Sequence, residues 1–166
     1  HTGYHHQFSR NVLQKKIGRG AFAEVGRFAG VASTEWSWGA LLFDMDNDGQ
    51  KDIFIANGIY KDLLDRDYLA YEGAAENVRK IISTEKDAIL KLISRMPTSK
   101  YSNYAFKNSG GLHFTNVSQQ WGLSEPMYSN GSSYGDLDND GDLDLVVSNL
   151  NSKSRIFRNN TDTSIY

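Results

Sequence analysis

The sequence predicts a mainly β fold that is built on an internal repeat and interrupted by an α-helical insertion. Residues 11–58 align with residues 103–150 without a gap, and each copy alternates short apolar runs with glycine-containing turns. Between the copies, residues at about 60–102 instead carry apolar side chains at helical spacing. With 39% hydrophobic and 23% charged residues among 166, the chain has the composition and length of one folded domain.

Each copy is expected to begin with a β-hairpin. Asn11–Val25 and Asn103–Val117 both read as strand, turn, strand. The turns are predicted at Gly18–Gly20 and at Gly110–Gly111. A second pair of strands follows in each copy, one strand before an acidic segment and one apolar, β-branched strand after it. Beyond the second copy, Ser154–Asn160 is expected to open another hairpin.

The insertion is predicted to contain two helices and a shorter one ahead of them. Helical periodicity of apolar residues is present in Ala74–Ile82 and in Glu85–Met96. Asp62–Tyr71 is expected to form the shorter helix. Thr84 together with Asp87 predicts a cap at the start of the last helix, and the following proline ends it. The apolar faces predict that the helices pack against the sheet or against each other.

The most specific motif is an acidic segment of nine residues that occurs once in each copy. Asp44–Asp52 reads DMDNDGQKD and Asp136–Asp144 reads DLDNDGDLD, so both fit D-x-D-x-D-G-x-x-D. Carboxylates at positions 1, 3, 5 and 9 can surround one hard cation if the glycine at position 6 lets the chain turn sharply. Position 7 can add a main-chain carbonyl, which completes the all-oxygen shell that calcium prefers.

The two segments therefore predict two Ca²⁺ sites, one in each loop. The predicted ligands of the first ion are the side chains of Asp44, Asp46, Asp48 and Asp52 and the carbonyl of Gln50. The predicted ligands of the second ion are the side chains of Asp136, Asp138, Asp140 and Asp144 and the carbonyl of Asp142. An EF-hand is excluded because its position 12 would be Ile55 or Val147. The alternative is an ordinary acidic turn, in which four like charges would repel one another.

Several other kinds of chemistry have no support in the sequence. The absence of cysteine excludes disulfides and thiolate catalysis, and the absence of a basic run argues against nucleic-acid binding. No apolar run reaches the roughly 18 residues of a membrane span. The histidines at positions 1, 5, 6 and 113 do not have the spacing of a zinc site. No nucleophile motif is present, so we expect no catalytic residues.

Taken together, the motifs resemble the FG-GAP/VCBS-type repeats of extracellular β-propellers. The likeness is closest to bacterial proteins that carry such repeats before an ASPIC/UnbV segment. The shared marks are the acidic loop, the apolar strand that ends in Asn57 or Asn149, and the hairpin pattern N-x-x-F/Y-x-N-x-G-x-x-F. The second hairpin, NYAFKNSGGLHF, matches this pattern, whereas NVLQKKIGRGAF lacks the second aromatic residue and the second asparagine. The likeness covers nearly the whole chain outside the insertion.

This resemblance implies a partial β-propeller of about two blades with the α-helical insertion between strands. Trp38–Asn57 and Tyr101–Val117 would form one blade around the insertion. Ser132–Asn160 would begin the next blade, and Asn11–Val25 would complete the preceding one. Because a propeller closes with about four to eight blades, residues 1–166 are expected to be a fragment of one propeller domain. The opening residues, which are typical of the interior of a protein and contain no signal-peptide pattern, agree with that expectation.

The function that the resemblance implies is that of a calcium-stabilised, non-enzymatic scaffold. It would mediate adhesion by binding a protein or glycan at the cell surface, outside the cell or in the periplasm. One alternative is a non-catalytic part of a larger exported enzyme, and another is a subunit of a surface assembly that uses the insertion as its contact. Trp36, Trp38 and Trp121 are expected to pack between blades rather than to bind sugars.

Overall fold

The computed structural model of the protein describes residues 9–84 and 86–161. His1, His5, His6 and Glu85 lie outside this part of the chain. The strands are β1 Gln14–Gly18, β2 Ala21–Glu24, β3 Ser37–Phe43, β4 Asp52–Asn57, β5 Tyr101–Ser102, β6 Tyr104–Asn108, β7 Phe114–Asn116, β8 Pro126–Met127, β9 Ser129–Gly135, β10 Asp144–Asn149 and β11 Arg155–Phe157. The helices are α1 Arg66–Tyr71, α2 Ala75–Thr84 and α3 Ala88–Arg95. The predicted mainly β fold with a helical insertion is therefore confirmed.

The largest sheet has four antiparallel strands in the order β3-β4-β6-β7. Strands β4 and β6 are neighbours although the whole helical insertion separates them in sequence, and their register pairs Phe54 with Ala105. This grouping joins the two segments that the sequence assigns to one sheet, Trp38–Asn57 and Tyr101–Val117. A three-stranded sheet in the order β9-β10-β11 is arranged like the strands β3-β4-β6 of the first sheet. Strands β9 and β10 belong to the second copy, and β11 follows it.

The remaining strands form two small pairs. Strands β1 and β2 make the predicted first hairpin, and β5 pairs with β8. Strand β9 lies against β3 and β4, and a Cβ added at Gly39 would come within 3.4 Å of the Ser132 hydroxyl. The sheets within the described ranges are open, and no closed barrel or propeller is found among them.

Strand β4 is the centre of the hydrophobic core because both of its faces are covered. Phe54 and Ala56 face a cluster that includes Leu145 and Val147 of the second sheet. The alternate residues of β4 join a second cluster that includes Ala29, Val31 and Phe106. Side chains alternate across a strand, so a strand covered on both sides needs the continuous apolar run IFIA that follows the first acidic loop.

Tyr68 joins two helices of the insertion. This residue is buried, and its hydroxyl donates to the main-chain carbonyl of Leu92 at 3.1 Å, which ties α1 to α3. Asp65 caps α1, because its carboxylate accepts from the Tyr68 amide at 2.7 Å. At the end of α3, Met96 is extended, as expected for a residue that precedes a proline.

One prediction about the insertion is wrong, and another is correct only in part. Thr84 ends α2 instead of capping α3, and its hydroxyl donates to the Lys80 carbonyl at 2.7 Å, while Asp87 occupies the cap position without a side-chain hydrogen bond. Helices α2 and α3 contact each other as predicted, but the apolar face of α3 is not fully covered, because Ile89 is 68% and Ile93 41% exposed. Helical periodicity gives the direction of an apolar face but does not show which neighbour will cover it.

Candidate metal centre

The two acidic loops occupy equivalent places in the fold. The first connects β3 to β4 and the second connects β9 to β10, and the flanking pairs are Phe43 with Asp52 and Gly135 with Asp144. In each loop, the carboxylates at positions 1, 3 and 5 offer oxygens that all lie within 4.8 Å of one another. These groups are Asp44, Asp46 and Asp48 in the first loop and Asp136, Asp138 and Asp140 in the second. Each triad could therefore hold one metal ion.

The carboxylate at position 1 shapes each loop through main-chain amides. Asp44 accepts from the amides of Asp48 and Gly49 at 3.1 and 2.8 Å. In the second loop, Asp136 accepts from the corresponding amides at 3.2 and 3.1 Å. The position 5 carboxylate accepts from the position 7 amide in both loops, at 2.9 and 3.0 Å. The two loops therefore share one hydrogen-bond pattern as well as one sequence pattern.

The sharp turn of each loop uses two residues with positive φ. Gly49 and Gly141 have φ of 83° and 96°, as the glycine at position 6 predicts. Asn47 and Asn139, at position 4, also have positive φ, of 58° and 63°. Asparagine tolerates the left-handed region better than most residues. The asparagine that recurs at position 4 is therefore a sequence signal for this second residue of positive φ.

The carboxylate at position 9 is buried and joins the loop to the next strand. Asp52 accepts from the Met45 amide within the loop at 3.0 Å and from the Asn108 amide at 2.8 Å. Asp144 makes the same two bonds at 3.0 and 2.8 Å, the latter from Asn159. Burial raises the pKa of Asp52 above its ordinary value although these amides oppose the shift. Ligation by Asp52 and Asp144, and by the carbonyls at position 7, stays a prediction.

A basic side chain contacts each triad. Lys107 forms ion pairs with Asp46 and with Asp48, the latter at 3.2 Å. Arg158 does the same in the second loop, with distances of 2.6 Å to Asp138 and 3.1 Å to Asp140. The hydrogen bond to Asp46 raises the pKa of Lys107, and the one to Asp140 raises the pKa of Arg158.

Neither basic residue was identified from the sequence. The sequence nevertheless carries a shared pattern around them, F-K-N in one copy and F-R-N after the other. The main-chain amide of the asparagine in each pattern donates to the position 9 carboxylate.

One carboxylate oxygen of the first loop fits a cation especially well. The Oδ1 atom of Asp46 is buried and has no hydrogen-bond partner among the described residues. Buried acceptors are nearly always satisfied, and a metal ion would satisfy this one. All candidate ligands are hard oxygen atoms, a donor set that suits calcium or magnesium better than zinc.

The two loops also contact each other. The Asn47 side chain donates to the buried carboxylate of Asp142 at 2.7 Å, which links position 4 of the first loop to position 7 of the second. The Asn159 side chain donates to the Met45 carbonyl at 2.9 Å, although the two residues are 114 positions apart. The candidate sites are therefore neighbours that share side-chain contacts.

The tryptophans differ in their surroundings. Trp121 packs against the main core cluster and lines a cleft of about 410 Å³ beside the acidic loops. Trp36 and Trp38 stack on each other with ring centroids 6.3 Å apart, and Trp38 is more than half exposed. Trp121 is therefore packed and Trp38 is not, while packing between propeller blades stays a prediction.

Comparisons with protein-family models and with curated proteins find no match for this chain. No helix among the described residues is long and apolar enough to cross a membrane.

Proposed function

We propose that the chain is part of a calcium-stabilised β-propeller, of the FG-GAP/VCBS type, that serves as a non-enzymatic scaffold outside the cell. The observation that carries the proposal is that the two acidic loops share the same grouping of carboxylates and the same hydrogen bonds. Both bring three carboxylates together, both use the first of these to bind two main-chain amides, and both bury the fourth. An ordinary acidic turn needs none of these shared contacts.

The order of the strands supports the propeller part of the proposal. A propeller blade is a four-stranded antiparallel sheet, and blades pack against one another around a central axis. The β3-β4-β6-β7 sheet has that number of strands, with an acidic loop between its first two. The β9-β10-β11 sheet starts in the same way, and β9 lies against the first sheet.

Calcium in this proposal has a structural role. Asp44, Asp46 and Asp48 would hold the first ion, with Asp52 and the Gln50 carbonyl completing the shell. The second loop would use the equivalent residues. The ion would neutralise carboxylates that otherwise repel one another, so the loop would stay closed and would hold its two strands in register. A stable sheet framework leaves the exposed surface available for a protein or glycan partner.

Titration calorimetry with calcium tests the sites. The wild type should bind two ions, and Asp46→Ala and Asp138→Ala should each remove one, since each change deletes a carboxylate of a triad. Asp67→Ala, which removes an exposed acid in α1, is the matched control and should leave two. The metal proposal fails if the wild type releases no heat with calcium and melts at the same temperature with and without a chelator.

The exposed apolar residues of the insertion favour a second candidate function, as the contact surface in a surface assembly. Ile82, Ile89 and Leu90 lie around the start of α3 and together line a shallow cleft. Ile89→Asp with Leu90→Asp should abolish capture of a partner in a pull-down if this surface is the contact. Unchanged capture would point to the sheets instead.

A further inference from the structure

The same element that anchors each acidic loop also delivers a positive charge to it. Lys107 lies in β6 and Arg158 directly follows β11, each just before an asparagine whose amide donates to the position 9 carboxylate at 2.8 Å. The segment that carries each basic residue is therefore hydrogen-bonded to the loop, and this bond positions the basic side chain beside the triad.

The contacted carboxylates are two of the three that a metal ion would need in each loop. Lys107 binds the Oδ2 atoms of Asp46 and Asp48. Arg158 binds the Oδ2 atoms of Asp138 and Asp140, which are the same two loop positions. The position 1 and position 9 carboxylates are instead bound by main-chain amides. A doubly charged ion held by these same carboxylates would also lie close to the basic side chain, and the two positive groups would repel each other.

We infer that Lys107 and Arg158 are internal counter-cations that compete with calcium for the two loops and thereby set the affinity of each site. The inference rests on the proposed function of the loops as calcium sites. Without the ion, the basic side chain keeps the loop closed by pairing with positions 3 and 5. When the ion binds, the basic side chain leaves those oxygens and turns to solvent.

The two sites are expected to have unequal affinities. The Lys107 side chain is only 36% exposed, whereas that of Arg158 is 62% exposed. Ion pairs that are more exposed are weaker because water and salt screen them. Calcium should therefore displace Arg158 at lower cost than Lys107, and the second loop should bind calcium more tightly than the first.

Calorimetry on single-site backgrounds measures each affinity separately, with calcium alone as the probe. Asp138→Ala leaves the first loop to be titrated, and Asp46→Ala leaves the second. Adding Lys107→Met to the first background should tighten calcium binding by about three- to tenfold, on the scale of partly exposed ion pairs. Adding Arg158→Met to the second should tighten it by about threefold or less.

Two further variants separate displacement from general charge effects. Lys51→Met removes the same charge from position 8 of the first loop, where the side chain is exposed and only the main-chain carbonyl makes a recorded bond, to Asn108. It should change the affinity less than Lys107→Met does. Lys107→Arg retains a cation and should retain the lower affinity. An equal gain from Lys51→Met and Lys107→Met would overturn the inference.

Melting temperatures provide a readout that does not depend on calcium binding. In chelator, Lys107→Met should melt below the wild type because the first loop has lost its counter-cation. In saturating calcium, the difference should vanish or change sign. The inference is refuted if Lys107→Met leaves calcium affinity unchanged or weakens it. If the wild type binds no calcium at all, the proposed function fails first, and the melting temperature in chelator still reports whether Lys107 holds the loop.

Discussion

The acidic residues of each loop have different tasks although the sequence presents them as equivalent. Asp44 binds the amides that shape the turn, Asp46 and Asp48 contact Lys107, and Asp52 is fully buried between the loop and β6. In the described part of the first loop, Asp46 alone offers a buried oxygen without a hydrogen-bond partner. Loss of each acid should therefore have a different consequence.

Asp52→Ala should destabilise the protein even when a chelator is present. The change leaves the amides of Met45 and Asn108 without an acceptor, and each unsatisfied buried group costs about 1–3 kcal/mol. Asp46→Ala is the matched control, because in chelator it removes only a partly exposed ion pair worth about 0–1 kcal/mol. Urea unfolding in chelator measures both. Equal stability of the two variants would mean that Asp52 acts only as a ligand.

At the scale of elements, the sequence predicts strands more accurately than helices. Strand β4 was identified because IFIA is continuous, apolar and β-branched, and the structure buries all of it. The hairpin turns were identified because glycine has few other uses in a strand pattern. The cap of α3 was predicted wrongly because Thr84 could belong to either of two helices separated by three residues. Sequence spacing does not decide between such alternatives.

The sequence predicts those parts of the candidate sites whose residues lie close together along the chain. Each triad lies within a span of five residues, so the motif contains the information needed to bring its acids together. Lys107 and Arg158 approach from another strand, and Asn47 meets Asp142 across 95 positions. Contacts of that kind depend on how the sheets pack, which the motif does not encode.

The insertion should tolerate substitution of its exposed apolar residues but not of its buried tyrosine. Ile89→Asp with Leu90→Asp should change the free energy of unfolding by less than about 0.5 kcal/mol, because both side chains are already exposed. Tyr68→Ala should cost about 3 kcal/mol or more, since it removes a buried ring and the bond to Leu92. Thermal and urea unfolding test the contrast. Similar losses from both changes would show that the exposed residues are covered in solution.

At the scale of the whole molecule, the contact between the loops predicts coupling between the two sites. Calcium in the first loop fixes Asn47, which then holds the Asp142 carboxylate in the second. Filling the first site should tighten the second by about fivefold, at the low end of measured coupling energies of roughly 1–3 kcal/mol. Because coupling is reciprocal and the second loop is expected to fill first, the affinity of the first loop in wild type and in Asp138→Ala gives this factor. Identical affinities would exclude coupling.

Asn47→Gly should remove that coupling without straining the turn, because glycine accepts the positive φ of position 4. Asn139→Gly makes the same change in the second loop, where, among the described residues, the Asn139 side chain makes no hydrogen bond to the first loop. Coupling that survives in Asn47→Gly but not in Asn139→Gly would assign it to another path.

The long sequence separation of the contacts around the loops also sets when they can form. Met45 and Asn159 can meet only after both sheets are in place, so the region around the loops is completed late in folding. Interactions absent from the transition state change the unfolding rate and leave the folding rate nearly unchanged. A hundredfold excess of calcium over its dissociation constant should then slow unfolding by about a hundredfold per site. Calcium would act chiefly on the lifetime of the native state.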